Sequence, residues 1–134
     1  MRYSSSIGKL RNMHGIIADT IAQQLIETLF SNWNKQELGA LMELFSEDIE
    51  LISNKVMDLL PEANGRIKGS KTLRTYWGAL MQLYPHYRFL LKRFQVEENR
   101  IVVYYMTDDR QTHCISKLHL NSAGLIERME VVYI

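Results

Sequence analysis

Glu127 and Asp58 are the side chains whose type and setting suit acid–base chemistry in this chain. Glu127 lies in the last strand-like run. If the final hairpin turns at Asn121–Gly124, Leu120 faces Leu125, Leu118 faces Glu127, Ser116 faces Met129 and Cys114 faces Val131, all on one sheet face. A carboxylate among such apolar neighbours is desolvated and pushed up toward the range of a general acid or base. The plainer alternative is a solvated carboxylate near the sheet end, paired with Arg128 or Lys117. Asp58, in the loop before Pro61, is either a base reaching a pocket mouth or a solvated turn residue. His86 follows Pro85 at a helix-to-strand corner and reads as structural. His113 and His119 are separated by roughly 20 Å of strand at ~3.3 Å per residue, with Cys114 pointing to the opposite face, so they build no zinc site. Cys114 itself reads as a buried, inert thiol rather than a reactive one.

The elements that must position these groups are legible from period and punctuation. From His14 to Trp33, Ile17, Ile21, Leu25 and Leu29 recur four apart, and Ile26, Phe30 and Trp33 widen the stripe, predicting a long amphipathic helix. Asn34 with Glu37 three residues on resembles a capping box, predicting a second helix from Lys35 to about Phe45 with Leu38, Leu41, Met42 and Phe45 inward. Ser46–Asp48 should stop it. In Ile49–Ser53 the period falls to about two, and a strand begins. An irregular segment from Asn54 to Gly69 is a candidate rim or lid, and Ser70 should cap a third helix that turns Leu73, Tyr76, Trp77, Leu80, Met81 and Tyr84 inward. That helix must stop near Tyr84, because the residue before Pro85 is pushed out of helical geometry. Strands over His86–Val96, Ile101–Thr107, Gln111–Leu120 and Leu125–Ile134 follow, joined by turns short enough to require antiparallel pairing. Helices first and a meander afterwards predict an α+β domain with helices on one face of a curved sheet.

Composition bounds the function classes. The 134 residues make one domain with a soluble packed core, preceded by a loosely held lead-in over residues 1 to about 12. A net charge of +1 lacks the basic footprint of a nucleic-acid or anionic-membrane binder, so neither partner is expected. The N-terminus lacks the apolar run of a secretory signal, and no stretch approaches the ~18 apolar residues of a membrane span. With Cys114 the only cysteine, no intrachain disulfide forms and a cytoplasmic setting is expected. Gly-rich phosphate loops and a Gly-x-Ser-x-Gly elbow are absent, and no cofactor or metal is expected.

The motifs WNKQELGALMELFSEDIEL, GRIKGSKTLRTYW, YPHYRF and SKLHLNSAGLIERMEVV, in this order from about His14 to Tyr133, resemble the nuclear-transport-factor-2-like superfamily in its SnoaL-like and ketosteroid-isomerase-like branch. The resemblance implies a cone: three N-terminal helices packed on a strongly curved, mostly antiparallel sheet around an apolar pocket. It also implies a homodimer through the outer sheet face, where Ile115, Lys117, His119, Arg128, Glu130 and Val132 fall.

In the isomerase branch a general-base Asp ends the first strand, and a helix Tyr with a protonated Asp on a late strand forms an oxyanion hole. The base position falls on Ser53, whose hydroxyl cannot take a carbon-bound proton as a carboxylate does. The late acid falls on Ser116, the helix Tyr on Leu29 and an accessory Tyr on Trp77. The His and Asp of the polyketide-cyclase branch fall near Ser116 and Val131. The resemblance therefore implies a pocket without the familiar catalytic set. Its expected lining is Ser53, Trp77, Met81, Ser116, Leu118, Met129, Val131 and Tyr133, holding a small, largely apolar molecule, with Glu127 and Asp58 as the acid–base candidates of any isomerase-, cyclase- or lyase-type reaction. The alternative is a non-catalytic dimerisation or protein-interaction module of the same fold.

Overall fold

The computed structural model describes residues 17–134. The lead-in over residues 1 to 12 and the expected helix start at His14 lie outside the described residues, but Ile17 and Ala18, expected within that helix, are not helical. Helix α1 spans Asp19–Asn34 and buries Ala22, Leu25, Ile26 and Leu29, the stripe that the four-residue spacing marks. Asn34 does not cap a following helix. It ends α1, and its amide reaches strand β3 (Phe89–Glu97), donating from Nδ2 to the Phe89 carbonyl and accepting the Phe89 N–H, both at 2.9 Å. The chain turns through Gln36 at φ 58°, so the expected Lys35–Phe45 helix contracts to α2, Leu38–Met42, with no side-chain cap.

Phe45 opens strand β1, Phe45–Ser53, and Ser46–Asp48 form an irregularity within that strand rather than a stop before it. The irregular segment expected after it holds three short elements: helix α3 (Asn54–Leu59), a 3-10 turn (Pro61–Ala63) and strand β2 (Arg66–Lys68). Helix α4, Ser70–Leu83, follows. Ser70 is its first residue and not its cap; Gly69, at φ 90°, holds that place and ties back to β1 through a 2.8 Å bond to the Ile49 carbonyl. The helix ends before Tyr84 and Pro85 as the proline requires. Among the described residues four helices thus stand where three were expected, and α1 and α2 precede the sheet.

Strands β4 (Arg100–Thr107), β5 (His113–Leu120) and β6 (Ile126–Tyr133) complete a six-stranded sheet ordered β2-β1-β6-β5-β4-β3. Among the described residues only the β1–β6 pair is parallel. The sheet is curved and open, and with the helices against one face it forms the expected α+β cone. Helix α1 packs on β3 and α4 on β1, closing the concave face. Fully buried Leu25, Ile26, Ile49, Leu73, Ile101 and Leu118 anchor that core, each contributing about 1.5–3 kcal/mol by leaving water.

The last hairpin departs from the expected register. Leu118 pairs with Met129 and Ser116 with Val131, two residues further along β6 than the expected Glu127 and Met129. The two-residue offset preserves which face each side chain takes. At the hairpin end parity breaks: His119 pairs with Arg128 but Leu120 with Ile126, leaving Glu127 as the extra residue of a β-bulge. Among the described residues no helix is long and apolar enough to cross a membrane.

Candidate functional site

Strand alternation aims a set of side chains into the cone. From the sheet come Leu51 and Ser53 on β1, Val103 and Tyr105 on β4, Ser116 on β5, and Met129, Val131 and Tyr133 on β6. The helices supply Leu29, Phe30 and Trp33 from α1, Leu41 from α2, and Tyr76, Trp77 and Leu80 from α4; Phe89 closes one side. They surround a cavity of about 60 Å³. Pockets that enclose drug-sized ligands run ~300–1,000 Å³, so only a small molecule fits without side-chain movement.

Aromatic edges set the shape of this space. Phe30 and Phe89 both meet Tyr105 edge-on, at 5.1 and 5.2 Å between ring centres, and Trp33 and Phe45 meet Trp77 likewise at 5.6 and 5.1 Å. Such pairs add about 0.5–1.5 kcal/mol each beyond their burial and hold the rings in place.

Five hydroxyl-bearing side chains interrupt the apolar wall: Ser53, Tyr76, Tyr105, Ser116 and Tyr133. Tyr105 and Ser116, 5% and 2% exposed, share a 2.6 Å hydrogen bond across β4 and β5. Two hydroxyls carry two hydrogens and their mutual bond uses one, so the other O–H is left to a further acceptor. Burial pushes the Tyr105 phenol far above its ordinary range, outweighing the lowering by Ser116, and keeps it a neutral donor. Tyr133 is likewise raised by burial, and Tyr76 is pushed up to about 12 by burial with the charge of Asp58 adding to it. Ser53 accepts the Lys55 N–H at 3.2 Å and so caps α3. Its own N–H bonds the Gly65 carbonyl at 2.9 Å, and Gly65 at φ 76° sits where an added Cβ would meet the Ser53 carbonyl at 3.3 Å.

Six of the expected lining residues meet at this cavity: Ser53, Trp77, Ser116, Met129, Val131 and Tyr133. Met81 and Leu118 are buried in the surrounding core instead of lining the space. The carboxylates are elsewhere. Glu127 is exposed, because the bulge turns it out of the position that unbroken alternation assigns. Asp58 is exposed on α3 rather than in a loop, and does not line the cavity. His86 is exposed in the turn after α4. Cys114 is buried, and burial pushes its thiol up to about 11 against a smaller lowering by Lys55. No cluster of three or more His, Cys, Asp or Glu among the described residues could hold a metal. Tyr105 went unassigned from sequence, although its spacing from Ile101 and Val103 in β4 places all three on the inner face.

A sequence profile of the SnoaL-like domain matches residues 26–128. None of the curated proteins matches the chain significantly in sequence. Among solved structures, a SnoaL-like protein of unknown function from Burkholderia thailandensis superposes with a TM-score of 0.84 at 18% identity, over 89% of this chain and 98% of the other. A candidate ketosteroid isomerase from Kribbella flavida gives 0.62 at 18% identity over 83% and 76%. A candidate polyketide cyclase from Sinorhizobium meliloti gives 0.64 at 15% over 81% and 93%. Likeness at these identities shows the fold alone. With the profile spanning most of its length, this chain belongs to the SnoaL-like domain family.

Proposed function

We propose that this protein holds a small, largely apolar molecule in the cone cavity, oriented by a hydrogen bond to the Tyr105–Ser116 pair. The observation that carries this reading is the unspent O–H of that buried pair within an apolar wall. A donor kept out of water is costly unless something accepts from it, and a ligand carbonyl or ether oxygen would do so. The described lining contains no carboxylate, imidazole or ammonium group, and its phenols are held neutral. Its chemistry is hydrogen bonding and shape, not proton abstraction. An isomerase-, cyclase- or lyase-type reaction, of the kind that the names of the Kribbella and Sinorhizobium proteins suggest, would need an acid or base brought in by the ligand or by movement of Asp58 or Glu127. The single cysteine favours a cytoplasmic setting.

Outer-face exposure favours a second role, homodimerisation. Val132 is 52% exposed beside the His119–Glu130 pair, which closes at 2.9 Å. An apolar side chain flanked by self-complementary charges suits a two-fold sheet-to-sheet contact. A protein-interaction module without a ligand is the alternative. Native mass spectrometry of protein purified from its own host separates the two. The ligand reading expects a small-molecule adduct lost on denaturation. Bare protein, together with no binding of small ketones, would contradict it. The same spectrum reads the oligomeric state.

A further inference from the structure

Beside the cavity, Lys55 on α3 is held in a setting that its packing leaves electrostatically incomplete. Its Nζ lies 4.9 Å from the ring centre of Tyr133, a cavity-lining residue, and 5.2 Å from that of Tyr87. It donates to the Tyr87 hydroxyl at 3.4 Å. Its backbone N–H bonds the cavity hydroxyl of Ser53. The neighbouring Asn54 fixes this corner, donating to the Tyr133 carbonyl at 3.2 Å and accepting the Tyr133 N–H at 3.1 Å. The arrangement repeats the two-point clamp that Asn34 makes on Phe89.

Ring faces attract the ammonium without neutralising it. Tyr87 is a neutral phenol, pushed up to about 12, mainly by burial. Among the described residues no carboxylate forms an ion pair with Lys55. Asp58, one turn along α3, does not reach it. Asp108 and Asp109 are felt by Tyr87, but Asp109 is engaged by the Thr107 hydroxyl and the Gln111 N–H. An ammonium has three donors, and the phenol takes one. A half-buried cation with unspent donors at the edge of an apolar cavity is complementary to a single negative charge.

We propose that Lys55 recognises a carboxylate, so that the ligand is a small amphipathic acid whose apolar body lies in the cavity and whose carboxylate pairs with the ammonium over the Tyr87 and Tyr133 rings. A monoanion is favoured over a phosphate because one cation balances one charge. The proposal rests on the ligand-binding reading above and narrows it to a substrate class.

The test uses probes matched in shape and different in charge: benzoate with benzamide, and butyrate with butyramide, titrated into the full chain by NMR near neutral pH. The expected result is that both members of a pair shift cavity resonances and the acid binds roughly tenfold tighter, the scale of one charge-assisted contact. Lys55→Met should abolish the preference, bringing acid affinity down to that of the amide, and Lys55→Arg should retain it. If acid and amide bind alike, or if Lys55→Met keeps the preference, the Lys55 assignment is overturned while the ligand-binding reading stands. If no probe shifts cavity resonances, that reading fails and this one with it. Amide affinity measured in each variant guards against a folding defect read as lost recognition.

Discussion

The two faces of β5 and β6 are built from the same residues in alternation, yet they do opposite things. Inward, Cys114, Ser116 and Leu118 oppose Tyr133, Val131 and Met129, all within the core or around the cavity. Outward, Ile115, Lys117 and His119 oppose Val132, Glu130 and Arg128, and carry the ion pairs. Polar atoms inside are few, neutral and hydrogen-bonded, whereas polar atoms outside are charged and solvated. A one-residue slip would exchange the faces, so register is set here by burial.

The largest expected effect is a charge moved from outside to inside. Ser116→Lys should destabilise by about 3–5 kcal/mol, because an ammonium would be buried without a partner. Lys117→Ser, one residue away, should stay within ~0.5 kcal/mol. Urea unfolding midpoints read both, and similar values would deny that the faces differ. Next, Tyr105→Phe should cost about 1–2 kcal/mol by leaving Ser116 unpaired, with part of that recovered when Ser116→Ala is added. Ser53→Ala removes the α3 cap and should cost about 1 kcal/mol.

The smallest effects are in pH, with opposite signs on the two faces. On the outer face the hydrogen bond from His119 and the charges of Arg128, His119 and Lys117 overcome the upward pull of burial and lower the Glu130 carboxyl. A lowered carboxyl stabilises above its ordinary value and ceases to do so as pH falls through the folded one. Glu130→Gln should therefore flatten the acid limb of a stability–pH curve. On the inner face burial raises Cys114 from 9.0 to about 11. Groups raised in this way stabilise below their ordinary values and lose that contribution as pH climbs through the folded ones. Cys114→Ala should flatten the alkaline limb from about pH 9 to 11 and leave the acid limb alone.

Long periodic elements were the legible part of this chain. The α1 stripe, the α4 face up to its proline stop and strands β4, β5 and β6 follow from spacing that burial enforces, whereas Tyr84, expected inward, is exposed. Asn34 shows where local logic ends: its side chain has the chemistry of a helix cap, but a strand end 55 residues away offers both a donor and an acceptor. Glu127 was misplaced because alternation assumes an unbroken ladder and a bulge breaks it. Which side Ser116, Met129 and Val131 face was legible, since faces survive a two-residue register error. The Tyr105–Ser116 bond was not, because it depends on the pairing of Val103 with Ser116 between two strands and on the rotamer of a phenol.

Methyl-resolved NMR with 2-butanone and acetophenone tests the central claim most directly, since both are small, apolar and carry one acceptor for the hydroxyl pair. Saturable shifts are expected at the inner-face methyls of Leu29, Val103, Met129 and Val131, with Ile115 and Val132 on the outer face unmoved. Tyr105→Phe should weaken binding several-fold, as loss of one hydrogen bond implies. Shifts confined to Ile115 and Val132, or none at any methyl, would contradict a ligand site inside the cone.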